Sequence, residues 1–199
     1  MRIISGIYKS RALQAPKGDQ TRPTSDRARE TLFNMLVNMT EIDGARVLDL
    51  FAGSGAFALE AISRGASSAV CLEKAPQAVS SINLNAMNLG VGTELQIIRS
   101  DVYKWLPEAA GLFDVIFADP PYDDPDLPEL LPTLIFGSRL LTPDSIVIIE
   151  HRSGSTLQIP ESAELIRERA AGEANFTFLR LRVSSNASEN AESDLSRDV

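Results

Sequence analysis

Asp49-Leu50-Phe51-Ala52-Gly53-Ser54-Gly55 joins an apolar strand pattern over 45–51 to a helical pattern over 55–64, which Gly65 ends. Glycines at such a junction let the backbone approach a ligand, and the helix start offers free N–H groups and a positive dipole. Gly53-Ser54-Gly55-Ala56-Phe57-Ala58 also fits the G-x-G-x-x-G/A dinucleotide pattern. A tight turn with no ligand can carry the same letters, so the strand–turn–helix setting is what gives them meaning. Glu73 closes the next strand pattern, where a carboxylate accepts hydrogen bonds from ribose hydroxyls. Asp49 separates two ligand classes. A carboxylate just before the glycines repels a pyrophosphate, but it suits the ammonium and sulfonium groups of S-adenosylmethionine (SAM). The expected cofactor is therefore SAM, with Asp49, Phe51, Ala52, Gly53, Gly55 and Glu73 around it.

Outward from this turn, strand and helix patterns alternate. Residues 69–72, 95–98, 113–118 and 146–149 read as short strands rich in Val, Ile and Leu. Pro76 starts a helix that runs to Leu89 and stops at Gly90. Residues 128–141 read as a further helix, with Asp126 and Glu129 as its capping box. Two more strands are expected near 163–169 and 175–183. The pattern predicts an α/β fold, a Rossmann-like, mostly parallel sheet covered by helices on both faces.

The strand over 113–118 runs into Asp119-Pro120-Pro121-Tyr122. Open α/β sheets bind ligands at the carboxyl ends of their strands. The exocyclic amine of a base is a poor nucleophile because its lone pair is delocalised into the ring. Two acceptors that hold its hydrogens turn the lone pair outward. The Asp119 carboxylate is one such acceptor, and the Pro120 carbonyl, aimed by the rigid diproline, is the other. Tyr122 can stack on the base, worth roughly 1–3 kcal/mol. Asp-Pro-Pro is also an ordinary turn sequence. After a buried strand, and with the glycine turn upstream, it reads as the amine-holding site of a methyltransferase. Asp101, past the strand over 95–98, is a candidate acceptor for the adenine amino group of SAM. Tyr103, Trp105 and Leu106 read as a short apolar cover.

The chain has 199 residues, enough for one domain with a real core, and 44% of them are hydrophobic. It lacks an apolar run of membrane-spanning length or a signal-peptide h-region, and it has one cysteine, Cys71, so the cytoplasm is the expected compartment. Cys71 is expected in the core. His151, the one histidine, is expected to pack rather than catalyse, and no metal-ligand spacing is present. The net charge is −8 but uneven. Residues 1–36 carry seven basic and three acidic side chains, while 184–199 carry four acids and only Arg197. The basic end suits phosphate; the acidic end is expected to be a disordered tail. Residues 1–20 are expected to form a β-hairpin extension turning near Tyr8-Lys9-Ser10, and 21–183 the main domain. Thr24 or Ser25 is expected to cap a helix whose apolar face is Ala28, Leu32, Met35 and Leu36.

The run Arg22-Pro23-Thr24-Ser25-Asp26-Arg27-Ala28-Arg29-Glu30-Thr31-Leu32-Phe33-Asn34, the opening Met1-Arg2-Ile3-Ile4-Ser5-Gly6, the glycine turn and Asp119–Tyr122 together resemble the RsmD family, over about residues 1–183. The resemblance implies the seven-stranded class I methyltransferase sheet with a reversed last strand. It implies methyl transfer from SAM to the N2 amino group of guanine 966 of 16S rRNA, within the small ribosomal subunit or an assembly intermediate. It further implies that Asp49, Gly53 and Gly55 hold the methionine part of SAM, Glu73 the ribose, and Asp101 with Val102 the adenine. Asp119, Pro120 and Tyr122 would hold the base. The 22–29 stretch would close the cofactor site through Thr24 and contact RNA through Arg22, Arg27 and Arg29, alongside Arg2, Lys9 and Arg11. A monomer without metal or membrane is expected.

Three other functions fit parts of the sequence. A DNA amino-methyltransferase shares the Asp-Pro-Pro-aromatic motif but usually needs an added recognition domain. An NAD(P)-dependent oxidoreductase leaves Asp119–Tyr122 without a role. A non-catalytic rRNA-binding assembly factor would bind RNA regardless of Asp119.

Overall fold

A computed structural model describes residues 1–16 and 26–183. Seven strands form one sheet in the order β3-β2-β1-β4-β5-β7-β6. They are β1 (Arg46–Leu50), β2 (Ser68–Glu73), β3 (Leu95–Arg99), β4 (Ala110–Ala118), β5 (Arg139–Arg152), β6 (Ala163–Ala171) and β7 (Ala174–Leu181). The first five run parallel, and β7 lies antiparallel between β5 and β6. Strand order reverses direction between β1 and β4, which opens a crevice above their carboxyl ends.

Among the described residues the α-helices are α1 (Asp26–Leu36), α2 (Ala56–Ser63), α3 (Pro76–Leu89), α4 (Val102–Trp105) and α5 (Leu130–Gly137). Two apolar layers sandwich the sheet. One joins α1, α2 and α3 to Val47, Val115 and Phe117, and contains the stacked rings of Phe33, Phe57 and Phe117. The other joins α4 and α5 to Leu48, Ile116 and Ile149. Residues adjacent in a strand face opposite layers, so continuous apolar strands are what a doubly covered sheet requires. α3 begins at Pro76 and closes on Gly90 in the left-handed region, φ 77°.

Two expectations are corrected. The helix expected over 128–141 is shorter, because Ser138 leaves helical geometry and Arg139 already belongs to β5. Leu141, at helical spacing in the sequence, pairs with Phe113 of β4 instead. The Asp126–Glu129 capping box does not form: Glu129 itself occupies the N-cap of α5 without a side-chain cap, and the Asp126 N–H donates to Asp124. Residues 1–16 double back on themselves in a short antiparallel pairing: Arg2 bridges Ala12, and the Ile3 amide donates to the Arg11 carbonyl, the Ser10 amide to that of Ile3 and the Leu13 amide to that of Met1. Further amides of this segment dock it on the helices. The Ile4 and Ser5 amides donate to Glu60 of α2, and the Gln14 amide donates to Asn85 of α3. The expected tail 184–199 lies outside the described residues, as do Thr24 and Arg22.

Candidate active site

Leu50 pairs with Ala118, so the chain enters the glycine turn from β1 and Asp119 from β4 at the same level. Alternation along the strands puts Asp49 and Asp119 on the face that carries Val47 and Phe117. Asp49 is 2% exposed and accepts a hydrogen bond from the Ala58 amide at 3.2 Å. Burial, with the nearby Asp119 and Glu73 carboxylates, pushes its carboxyl well above the usual carboxylate range. Three acids thus share one neighbourhood. That arrangement favours a cation and disfavours a pyrophosphate.

The turn itself is conformationally demanding. Phe51 has φ 65°, and Gly53 and Gly55 have φ 56° and 75°. A side chain at Gly55 would also meet Ile82 Cγ2 at 3.1 Å, whereas beside Gly53 nothing lies nearer than 3.9 Å. Gly55 is therefore required by packing as well as by φ. Gly53 borders open space of the kind a ligand needs. Glu73 Oε2 accepts from the Gly53 amide at 2.9 Å and Oε1 from the Ala75 amide at 2.8 Å. These bonds tie the end of β2 to the glycine turn and leave further lone pairs on the carboxylate. Asp101 caps α4 by accepting from the Tyr103 amide at 3.1 Å, with Lys74 3.4 Å from its other oxygen. Val102 is buried in the core beneath.

The Asp119–Tyr122 loop is braced on two sides. The Tyr122 hydroxyl donates to Glu150 Oε1 at 3.3 Å, and the Arg152 guanidinium lies 5.6 Å from the Tyr122 ring centroid. Further along, Asp124 accepts from the Tyr103 hydroxyl at 2.8 Å. The Tyr103 ring meets Phe51 edge-on at 6.2 Å. Burial first, then the Asp124 carboxylate, push the Tyr103 hydroxyl upward, so it stays a donor. Between α4 and this loop lies a cleft of about 520 Å³ lined by Lys74, Lys104, Tyr103 and Pro121 and by the acids Asp101, Asp123, Asp124 and Asp126. Sequence reasoning missed Glu150, Arg152 and Tyr103. Glu150 has one legible signal, a charged residue directly ending an apolar strand. Tyr103 was read as apolar cover, and its hydroxyl contact depends on a loop 21 residues away.

The predicted basic contacts divide. Arg2 and Arg27 are exposed, Arg2 lying 3.7 Å from Asp26. Met1 beside them touches Ser54 of the glycine turn. Lys9 and Arg11 are exposed as well, but they lie toward the far ends of α2 and α3: Tyr8 bonds to Ser63, and Arg11 donates to the Asn88 carbonyl. Arg29 is the correction. It is 3% exposed, pairs with Asp26 at 3.0 Å and with Glu60 at 3.9 Å, and donates to the Arg2 carbonyl. Its position on the inner face of α1 puts it beyond reach of a phosphate. His151 is buried in β5 between Thr177 and Ser155, away from this site. Cys71 is buried in β2. Among the described residues no cluster of His, Cys, Asp and Glu suits a metal, and no helix is long and apolar enough to cross a membrane.

A family model described as conserved hypothetical protein 95 matches residues 1–180. The chain is 33% identical over 175 residues to ribosomal RNA small subunit methyltransferase D of Haemophilus influenzae, covering 86% of this chain and 89% of that one. It superposes on a hypothetical protein of Thermus thermophilus with a TM-score of 0.78, 33% identity, and coverage of 91% and 99%. The fold also matches SMU.776 complexed with SAH, at 15% identity and TM-score 0.64, over 77% of this chain and 49% of that one.

Proposed function

We infer that this chain, which belongs to the conserved hypothetical protein 95 (RsmD) family, is a SAM-dependent rRNA methyltransferase acting on the N2 amino group of a guanine in 16S rRNA. One observation carries the chemistry: the glycine turn and Asp119 meet at the β1–β4 switch point, with three carboxylates in one neighbourhood. When bound, SAM supplies an electrophilic methyl group on a sulfonium. The residues fit such a group. A cation beside Asp49 relieves the repulsion among Asp49, Asp119 and Glu73, and the open side of Gly53 admits a ligand against the backbone. A pyrophosphate would meet the same carboxylates, which argues against a nicotinamide dinucleotide.

In this reading Asp49, Phe51, Ala52, Gly53 and Gly55 hold the methionine part. Glu73 holds the ribose, and Asp101 and Val102 border the adenine. Asp119 and the Pro120 carbonyl accept the two hydrogens of the target amine and aim its lone pair. Tyr122 stacks on the base. Positioning supplies most of the acceleration, and the Asp119 carboxylate is at hand for the proton the methylated amine sheds. Exposed Arg2 and Arg27 flank the entrance for phosphate contact, with Lys9 and Arg11 further out. The guanine, its position and the small subunit as substrate rest on the relatives' names and on the resemblance, not on site geometry.

The test is transfer of labelled methyl from SAM to small ribosomal subunits from cells lacking the family enzyme, followed by mapping of the modified base. One N2-methylguanine in 16S rRNA is expected. Absence of transfer despite measured SAM binding would overturn the substrate. Asp119→Ala is expected to lower transfer by at least a hundredfold with SAM affinity within about threefold. RNA binding without any transfer by the unaltered protein would favour an assembly factor.

A further inference from the structure

β5 ends in Glu150-His151-Arg152, and its pairing with β7 runs without interruption from Val147 to Arg152. Glu150 and Arg152 are two apart in a regular strand, so they project from the same face. Ile149 pairs with Ala118 of β4, so Glu150 and Asp119 follow at the same level on neighbouring strands. Glu150 is 3% exposed, unusual for a carboxylate at a strand end. Its Oε1 accepts from the Tyr122 hydroxyl at 3.3 Å, while the Arg152 guanidinium covers one face of the Tyr122 ring at 5.6 Å. A phenol ring has two degrees of freedom at its side chain, and these two contacts restrain both. The hydroxyl bond fixes where the ring edge points, and the cation on one face sets its tilt.

We propose that Glu150 and Arg152 are positioning residues that clamp Tyr122 as the stacking platform for the target base. The clamp rests on the reading of Tyr122 as base-stacking residue given above. It explains why a charge is buried at the end of β5: a carboxylate acceptor holds a phenol more firmly than a neutral one. It also explains why Arg152 stands over an aromatic ring beside the Asp119 loop. A base held off its line by about 1 Å loses rate on the order of a hundredfold, so a slack Tyr122 should act on turnover more than on cofactor binding.

The experiment compares the unaltered protein with Glu150→Ala, Glu150→Gln, Arg152→Ala and Tyr122→Phe, each first shown to bind SAM normally. Glu150→Ala and Tyr122→Phe are expected to lower kcat on small subunits by tenfold to a hundredfold. Glu150→Gln, which keeps an acceptor, should recover at least part of the loss. The Glu150→Ala/Tyr122→Phe double variant should be no slower than the slower single variant, because both remove one interaction. Unchanged kcat in Glu150→Ala, or losses that multiply in the double variant, overturn the clamp. NMR of the ligand-free protein with labelled tyrosines reads the clamp independently of substrate. The Tyr122 ring signals should move in Glu150→Ala and in Arg152→Ala; ring signals unmoved in both also overturn it. If the unaltered protein transfers no methyl to subunits while the ring signals move, the substrate reading has failed and the clamp stands.

Discussion

Glu60 offers the sharpest test of how the N-terminal segment is held. Its side chain is 0% exposed on α2. One oxygen accepts from the Ser5 amide at 3.0 Å and from Arg64 Nε at 2.7 Å. The other accepts from the Ile4 amide at 2.7 Å and lies 3.9 Å from Arg29 Nε. Glu60→Gln keeps the shape but removes the charge, and it turns one acceptor into an NH2 group facing two donors. Removing one partner of a buried ion pair costs about 3–5 kcal/mol. Asp26, 3.0 Å from the Arg29 guanidinium, still shares that charge, so the loss should fall near the lower bound, ~3 kcal/mol. For a domain of this size that is a drop in Tm of about 6–12 °C. Urea unfolding and thermal melting measure it, and amide exchange at Ile4 and Ser5 should quicken. A loss below about 1 kcal/mol would mean that the network is no more than a solvated surface pair, and Glu60 would not be the anchor of the segment.

Other outcomes follow from the same geometry. Asp49→Asn should stabilise the ligand-free protein by about 0.5–2 kcal/mol at neutral pH. The reason is that the folded-state carboxyl is raised above its unfolded value, so its favourable contribution is present at low pH and lost as pH rises through the folded value. The gain should shrink as pH falls from the raised folded-state value toward the unfolded value of about 4 and vanish below it, while SAM affinity at neutral pH falls at least tenfold; calorimetry across pH checks both. Arg27→Ala should weaken RNA binding and reduce its salt slope by about one, whereas Arg29→Ala should lower Tm and leave the slope unchanged. Gly55→Ala, with φ 75° and Ile82 3.1 Å from the new methyl, should cost about 1–2 kcal/mol in denaturant unfolding.

The sequence by itself determined the alternation of strands and helices, because apolar periodicity, Pro76 and the glycines at 65, 90 and 55 act within a few residues of themselves. It also determined the chemistry offered at the two strand ends, since Asp49 and Asp119 each follow or close an apolar strand whose carboxyl end must open on the crevice. What it did not determine was everything that depends on pairing across distance. Arg29 and Arg27 look alike in a basic run, and only the packing of α1 against α2 sends one to Glu60 and the other to solvent. The N-terminal segment's doubling back is legible in its strand-like letters, but its docking is not: Ile4 and Ser5 donate to Glu60 of α2, and Gln14 donates to Asn85 of α3. Leu140 and Leu141 fit a helix until β4 offers a ladder. Glu150, Arg152 and Tyr122 become one unit because the β4–β5 register sets two strand ends side by side. Local propensity is written residue by residue, whereas register and burial are properties of the closed sheet, and those decided which charges are structural and which face a substrate.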